Sequence, residues 1–208
     1  MHTQNEDPSL PVLYSFRRCP YAMRARMALF QSKIEWNHRE VLLRDLPSSL
    51  IEHSPKSTVP VLVLPGGKVI DESYDIMLWA LRQNDPEHWL ADQQQEWIDR
   101  FEDEFKGDLD RYKYPNRYED VDPFHHRERA LTFLLDFDHV LASRQSTQLV
   151  DIAVFPFVRQ FANHDRSWFD ALPFKTLHGW LKHHLESELF ESVMVKHKVW
   201  VQPSRNNN

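Results

Sequence analysis

The chain has one cysteine, Cys19, set in Arg17-Arg18-Cys19-Pro20-Tyr21-Ala22-Met23-Arg24-Ala25-Arg26. The thiolate, not the thiol, is the nucleophile, so the field around the sulfur decides what it can do. The apolar run Pro11-Val12-Leu13-Tyr14-Ser15-Phe16 before it reads as a strand. Pro20 after it suits a first helical turn, where its missing N–H costs nothing. That order puts Cys19 at a helix N-cap, beside unpaired N–H groups and the positive end of the helix dipole. Arg17, Arg18, Arg24 and Arg26 add positive charge. The expectation is a thiol whose pKa drops from about 8.5 to below neutrality, prepared for sulfur chemistry. A buried structural cysteine is the plainer fate of a lone thiol; the arginines before it and Pro-Tyr after it argue against that fate.

Two further features of the first half matter because of where they fall between its strands and helices. Val59-Pro60 enters a later strand, and a proline there belongs at the strand's first residue or in a turn, because it cannot donate to a ladder. Asp71-Glu72-Ser73 leaves the next strand and begins a helix. Ser73 can cap that helix, and its hydroxyl with the local N–H groups can receive a carboxylate. Glu72 can pair with an ammonium group. Together they suit the two charged ends of an amino acid, although for Ser73 alone capping is the simpler role.

The elements that must position these residues divide into two grammars. Strand and helix patterns alternate at first: a strand over 12–16, a helix with Met23, Met27 and Phe30 on one stripe, and a strand over 36–43. A short helix over 47–53, a hairpin of 61–64 and 68–70 around Pro65-Gly66-Gly67, and a helix over 74–82 complete a βαβαββα unit. After Gln83-Asn84-Asp85-Pro86-Glu87 come only amphipathic helical segments, over 93–112, 124–143, 151–163 and 173–191. An α/β domain over 1–84 and an all-α domain over 85–208 are predicted.

Composition narrows the function classes. The 208 residues carry a net charge of −6 with both signs mixed, which gives no nucleic-acid footprint. One cysteine cannot build a disulfide framework and fits a reducing compartment. No apolar stretch approaches the ~18–20 residues that span a membrane, and the N-terminus lacks a secretory pattern, so a cytoplasmic protein is expected. Four glycines form no phosphate loop. Twelve histidines include the pairs His125-His126 and His183-His184, but neither pair has metal-ligand spacing, and no metal is expected. A serine-hydrolase elbow is absent too. Seven tryptophans, among them Trp97, Trp168 and Trp180, are expected in the core.

Cys-Pro-Tyr-Ala after the first strand, Ser54-Pro55-Lys56-Ser57-Thr58-Val59-Pro60 before the third and Asp71-Glu72-Ser73 after the fourth resemble the glutathione S-transferase superfamily. Leu149-Val150-Asp151-Ile152-Ala153-Val154-Phe155-Pro156 resembles the start of its central helix in the C-terminal domain. The resemblance covers nearly the whole chain and implies a thioredoxin-like domain followed by a helical bundle. Cysteine in place of the usual tyrosine or serine points to the bacterial, omega-like and glutaredoxin-like branch. It implies that Cys19 forms a mixed disulfide with glutathione, with Pro20 and Tyr21 beside it. Thr58, Val59 and a cis Pro60 would meet the cysteinyl unit, and Glu72 and Ser73 the γ-glutamyl end. The resemblance further implies that Arg44 stands in for a lysine whose place Leu46 takes and that Tyr114 lines a second-substrate pocket, the alternative for Tyr114 being a packing aromatic at a helix end. Gln148 replaces the usual serine or threonine cap of the central helix.

The resulting expectation is a cytoplasmic, homodimeric glutathione-dependent thiol transferase, with glutathione as co-substrate and a small oxidised or electrophilic compound as second substrate. Ala22 stands where a dithiol enzyme keeps a resolving cysteine, so a second glutathione must resolve the disulfide. The rival is the same fold used as a binding or regulatory module without catalysis, as in the stringent starvation protein.

Overall fold

In the computed structural model, which describes residues 6–91 and 94–203, the chain forms two compact units: Met1–Pro86 with Glu191–Asn208, and Glu87–Phe190. The first unit holds β1 (Val12–Ser15), α1 (Pro20–Gln31), β2 (Asn37–Glu40), α2 (Ser48–His53), β3 (Val61–Val63), β4 (Val69–Ile70) and α3 (Ser73–Gln83). The βαβαββα order expected from the sequence is the observed one. Strands run in the order β2-β1-β3-β4. β1 pairs parallel with β2, while β3 is antiparallel to both β1 and β4.

Alternation along β1 gives the sheet its two faces. Tyr14 joins Leu50 of α2, Val41, Val59 and Val61 in one buried cluster, against which Cys19, Leu46 and Trp200 also pack. Leu13 and Ser15 point the other way, toward α1 and α3, which pack on one another through Met23, Met27, Ile76, Met77 and Ala80. Met23 and Met27 keep the stripe read from the sequence, but Phe30 ends it in solvent. Strand β2 ends at Glu40, short of the 36–43 expected, although the Val41 N–H still donates to the Ser15 carbonyl at 2.8 Å while its side chain packs in the α2-side cluster.

The last residues return to the first sheet. Val199 bridges Glu40 in parallel register, and the Trp200 N–H donates to the Glu40 carbonyl at 2.8 Å. The Trp200 ring meets Tyr14 edge-on at 6.1 Å and takes the Arg39 guanidinium at 4.2 Å on its face. Gln202 Oε1 accepts the Ser49 N–H at 3.0 Å. No strand pattern in the sequence announces this return, because its bonds are made to an edge already formed.

In the second unit, α4 (Gln95–Arg100) runs through a π-helical turn at Phe101–Lys106 into α5 (Gly107–Lys113), so the segment expected as one regular helix widens in the middle. There follow α6 (Pro123–Leu141), α7 (Leu149–Ala162), α8 (Arg166–Asp170) and α9 (Leu177–Leu185), and then α10 (Glu188–Val193), whose residues from Glu191 on belong to the first unit. The helix expected over 173–191 is thus two helices. Gln148 is a weak cap, and Asp151 compensates for it. Its carboxylate accepts the Gln148 N–H at 2.7 Å, Arg144 at 2.8 Å and the Trp180 indole N–H at 3.0 Å. Phenylalanines fill this core, with Phe101, Phe105, Phe133, Phe137, Phe155, Phe157, Phe161 and Phe169 buried. Trp97, Trp168 and Trp180, expected inside, are half-buried at its edge; an indole N–H needs a polar partner that such an edge supplies. No helix among the described residues is long and apolar enough to cross a membrane.

Trp200→Ala should lower the unfolding free energy by about 2 kcal/mol, below the ~3–5 kcal/mol of a fully buried tryptophan because this one keeps solvent contact. Urea unfolding followed by circular dichroism measures it, and an unchanged midpoint would mean that the returning segment does not stabilise the sheet.

Candidate thiol site

Cys19 is the N-cap of α1, with extended backbone angles (φ −71°, ψ 122°) and Pro20 at the first helical position. The loop before it is drawn tight by the Cys19 N–H bonded to the Phe16 carbonyl at 3.0 Å, and the Met23 N–H returns to the Cys19 carbonyl at 2.9 Å. Arg26, one of the four arginines read as part of the thiol's field, does something more specific. It is buried and donates to Ser15 Oγ, to the Arg17 carbonyl at 2.8 Å, to the Phe16 carbonyl at 3.4 Å and to the Val193 carbonyl at 3.1 Å. Burial pulls its pKa down to about 10, against the opposing pull of Glu40 and Cys19. Glu40 accepts the Arg17 N–H at 2.7 Å and the His38 ring at 3.1 Å. Burial alone would raise the Glu40 carboxyl; His38, the Arg17 N–H and the Arg26 charge outweigh it and hold it below the usual range.

The sulfur itself points at the second group picked out in the sequence. Cys19 Sγ lies 3.6 Å from the Val59 carbonyl, with the thiol as donor. The Val59–Pro60 peptide is cis, and Pro60 is buried immediately before β3. This geometry corrects the expected acidity. Burial, the largest influence, pushes the Cys19 thiol above its ordinary pKa; the N–H groups of Ala22 and Tyr21 and the charges of Arg26 and Arg24 pull it down without cancelling that push. A hydrogen bond from S–H to a carbonyl also favours the protonated form. The sequence showed the cations but not the desolvation.

At the start of α3, Glu72 is the N-cap and Ser73 the first helical residue, so Ser73 is not the cap that its position suggested. Its hydroxyl instead accepts from Arg24 Nε at 3.0 Å, a bond that ties α1 to α3. Glu72 reaches Lys56 Nζ at 2.5 Å, and Lys56 also meets Asp71 at 3.4 Å. Ser54 Oγ donates to the other Asp71 oxygen at 2.8 Å. Thr58 is exposed beside Val59, and the Tyr21 ring carries Arg24 at 5.3 Å. Cys19, Pro20, Tyr21, Thr58, Val59, Pro60, Glu72 and Ser73 therefore all belong to one unit, at the helix-start ends of α1 and α3 and the entry to β3.

Arg44 sits exposed in the turn that the Asp45 N–H closes on the Leu42 carbonyl at 3.0 Å. Leu46, where the family has lysine, packs into the α2-side cluster and helps line a cavity of about 750 Å³ with Asp45, Ser48, Glu52, Trp200 and Gln202. Arg44 does not line that cavity. Tyr114, in the other unit, follows α5 and is covered by the Arg117 guanidinium at 4.1 Å and Lys113 Nζ at 5.5 Å. Among the described residues no three histidine, cysteine, aspartate or glutamate side chains cluster as a metal site. Sequence reading missed Lys56, and it took Arg24 and Arg26 only as distant charges. The signal was two arginines inside Ala22-Met23-Arg24-Ala25-Arg26-Met27-Ala28-Leu29, where neither can reach water.

Because the folded thiol has the higher pKa, its contribution to stability is full below the unfolded value of about 8.5 and is lost as pH rises through the folded value. Iodoacetamide labelling of the free protein should therefore give a midpoint above about 8.5, and Cys19→Ser should flatten the alkaline loss of stability. A midpoint below neutrality would restore the dipole-dominated picture.

Comparison with known proteins shows what the chain is similar to. Residues 13–89, the segment carrying the thiol site, match the family described as glutathione S-transferase, N-terminal domain. A pyrimidodiazepine synthase of Drosophila melanogaster is 38% identical over 64 residues, 29% of this chain and 26% of that protein, so the match spans about a quarter of the relative's length. A glutathione transferase from Pseudomonas putida, solved with one glutathione disulfide bound per subunit, superposes with a TM-score of 0.78 at 19% identity, covering 92% of this chain and 93% of that one. Glutathione transferase Omega 3C from Trametes versicolor does so with 0.75 at 20% identity, over 91% and 86%. The fold is that of the glutathione transferases.

Proposed function

We propose that the protein is a cysteine-type glutathione transferase, a glutathione-dependent thiol transferase that works through a Cys19–glutathione disulfide. One observation carries the reading: the only thiol of the chain meets the Val59 carbonyl beside a cis proline, at the start of a helix. The Val59 backbone enters β3 beside this thiol, and such a segment can pair with a short peptide as a strand does. A cysteinyl peptide laid along it brings its own sulfur to Cys19. Glutathione fits, because Glu72 and Ser73 then meet the ammonium and carboxylate of its γ-glutamyl end. The neighbour from Pseudomonas putida carries glutathione disulfide.

The Cys19 thiolate attacks the glutathione sulfur of a mixed disulfide R–S–S–G. The disulfide S–S bond between R–S and S–G breaks, RS⁻ takes a proton from solvent, and Cys19–S–S–G forms. A second glutathione, as thiolate, attacks the glutathione sulfur of that disulfide, releasing glutathione disulfide and the Cys19 thiolate. One substrate disulfide is reduced and two glutathione units leave joined. The single cysteine fits a reducing, cytoplasmic setting; the family likeness supports a homodimer, with Tyr114 proposed to meet the second substrate.

The raised thiol pKa sets how the first step starts. In the free protein burial first, and the Val59 carbonyl beside it, favour the Cys19 thiol; a bound peptide whose N–H takes that carbonyl removes the second restraint, while the Tyr21 and Ala22 N–H groups remain. Ligand binding thus releases the proton. The raised pKa is also what favours the rival reading, a binding module in which glutathione docks and no turnover follows.

Saturating S-methylglutathione, which has no free thiol, should lower the Cys19 labelling midpoint by about one pH unit, the scale of one hydrogen bond. Cys19→Ser should abolish reduction of hydroxyethyl disulfide while changing stability at neutral pH by less than about 1 kcal/mol. Full activity in that variant would remove the thiol from the mechanism, and binding without turnover by the unaltered protein would favour the module.

A further inference from the structure

Arg24 is buried, five residues beyond Cys19 on α1, and its Nε–H donates to Ser73 Oγ at 3.0 Å. Ser73 is buried as well. A serine hydroxyl has one proton to give and two lone pairs to receive with, whereas a guanidinium only donates. Once Arg24 occupies a lone pair, the hydroxyl proton must point away from α1. Among the described residues that hydroxyl donates to no acceptor. Its rotation is therefore set by the arginine, and its donor is left for something else.

The charge acts in the same direction. Arginine stays protonated even when buried, and Arg24 lies behind the first turn of α3, an 11-residue helix whose leading N–H groups already favour an anion. We propose that Arg24 is the positioning residue of the γ-glutamyl subsite: it turns the Ser73 hydroxyl toward the ligand's α-carboxylate and places a buried positive charge behind it. The inference rests on the glutathione reading above and adds what that reading lacks, a source of selectivity. A γ-glutamyl thiol that keeps its α-carboxylate is preferred over one that has lost it. Lysine would keep the charge at this place but not the planar Nε–H that faces Ser73, so the two parts of the effect separate.

The test is calorimetric and uses two probes on the full chain. The first is S-methylglutathione; the second is the same tripeptide with 4-aminobutyrate in place of glutamate, which lacks only the α-carboxylate. The unaltered protein should bind the first about tenfold or more tightly than the second, the scale of one hydrogen bond to a charged group. Arg24→Gln should lose about that factor for S-methylglutathione and little for the second probe. The double variant Arg24→Gln/Ser73→Ala should lose less for S-methylglutathione than the two single losses combined, because part of the arginine's effect acts through the serine. If Arg24→Gln does not fold, Arg24→Lys carries the test: it should keep part of the discrimination and lose the rest. Equal loss of both probes, losses that add in the double variant, or unchanged binding would each overturn the role of Arg24. Failure of the unaltered protein to bind S-methylglutathione at all would instead overturn the glutathione reading on which it rests.

Discussion

The permanent charge of Arg26 inside the first unit is the constraint on which the thiol site depends. A guanidinium cannot shed its proton at any ordinary pH, so once buried its N–H groups must find acceptors. They find the Phe16 and Arg17 carbonyls on one side and the Val193 carbonyl on the other. The loop that ends in Cys19 and the segment that leads back to β2 are therefore shaped around one side chain. Glu40 supplies the opposing charge and ties in the Arg17 N–H. Breaking such a buried set by removing one partner costs about 3–5 kcal/mol, whereas pairs on the surface contribute little.

Two pressures then meet at the sulfur. The helix start and the arginines favour a thiolate, while burial and the Val59 carbonyl favour a thiol, and in the free protein the second pair prevails. The other groups of the site are also satisfied internally: Glu72 holds Lys56, and Ser73 holds Arg24. These internal bonds satisfy most of the site when it is empty and leave the Ser73 hydroxyl proton for a ligand. Binding then proceeds by exchange of partners. Lys56 is exposed and its bond to Glu72 is readily given up, whereas the Arg24–Ser73 bond is buried and persists.

Much of this was legible in the sequence, for local reasons. Strand, thiol, proline and helix follow each other within residues 12–31, and the βαβαββα order needs only apolar periodicity and the Pro65-Gly66-Gly67 turn. Proximity of Cys19 to Val59 and of both to Ser73 came from the resemblance, not from spacing. What stayed hidden was set by tertiary contact. The capping role passed from Ser73 to Glu72 by one residue, a shift that local pattern does not resolve. The return of Val199 and Trp200 to β2 uses backbone bonds that leave no periodic trace. The acidity of Cys19 was misread because desolvation depends on what covers the sulfur, and the motif names only the neighbours in sequence. Arg24 and Arg26 looked like solvated charges until the packing of α1 against the sheet and α3 left them nowhere to go.

The account stands on Cys19 forming a disulfide with glutathione in the folded protein. Intact-mass spectrometry after incubation with glutathione disulfide tests this directly, with peptide mapping to locate the adduct. The prediction is one glutathionyl group, on Cys19, removed by reduced glutathione and formed faster in the native than in the urea-unfolded chain at neutral pH. A thiol that stays unmodified when folded, yet reacts once the chain is unfolded, would contradict the account and make Cys19 a structural residue.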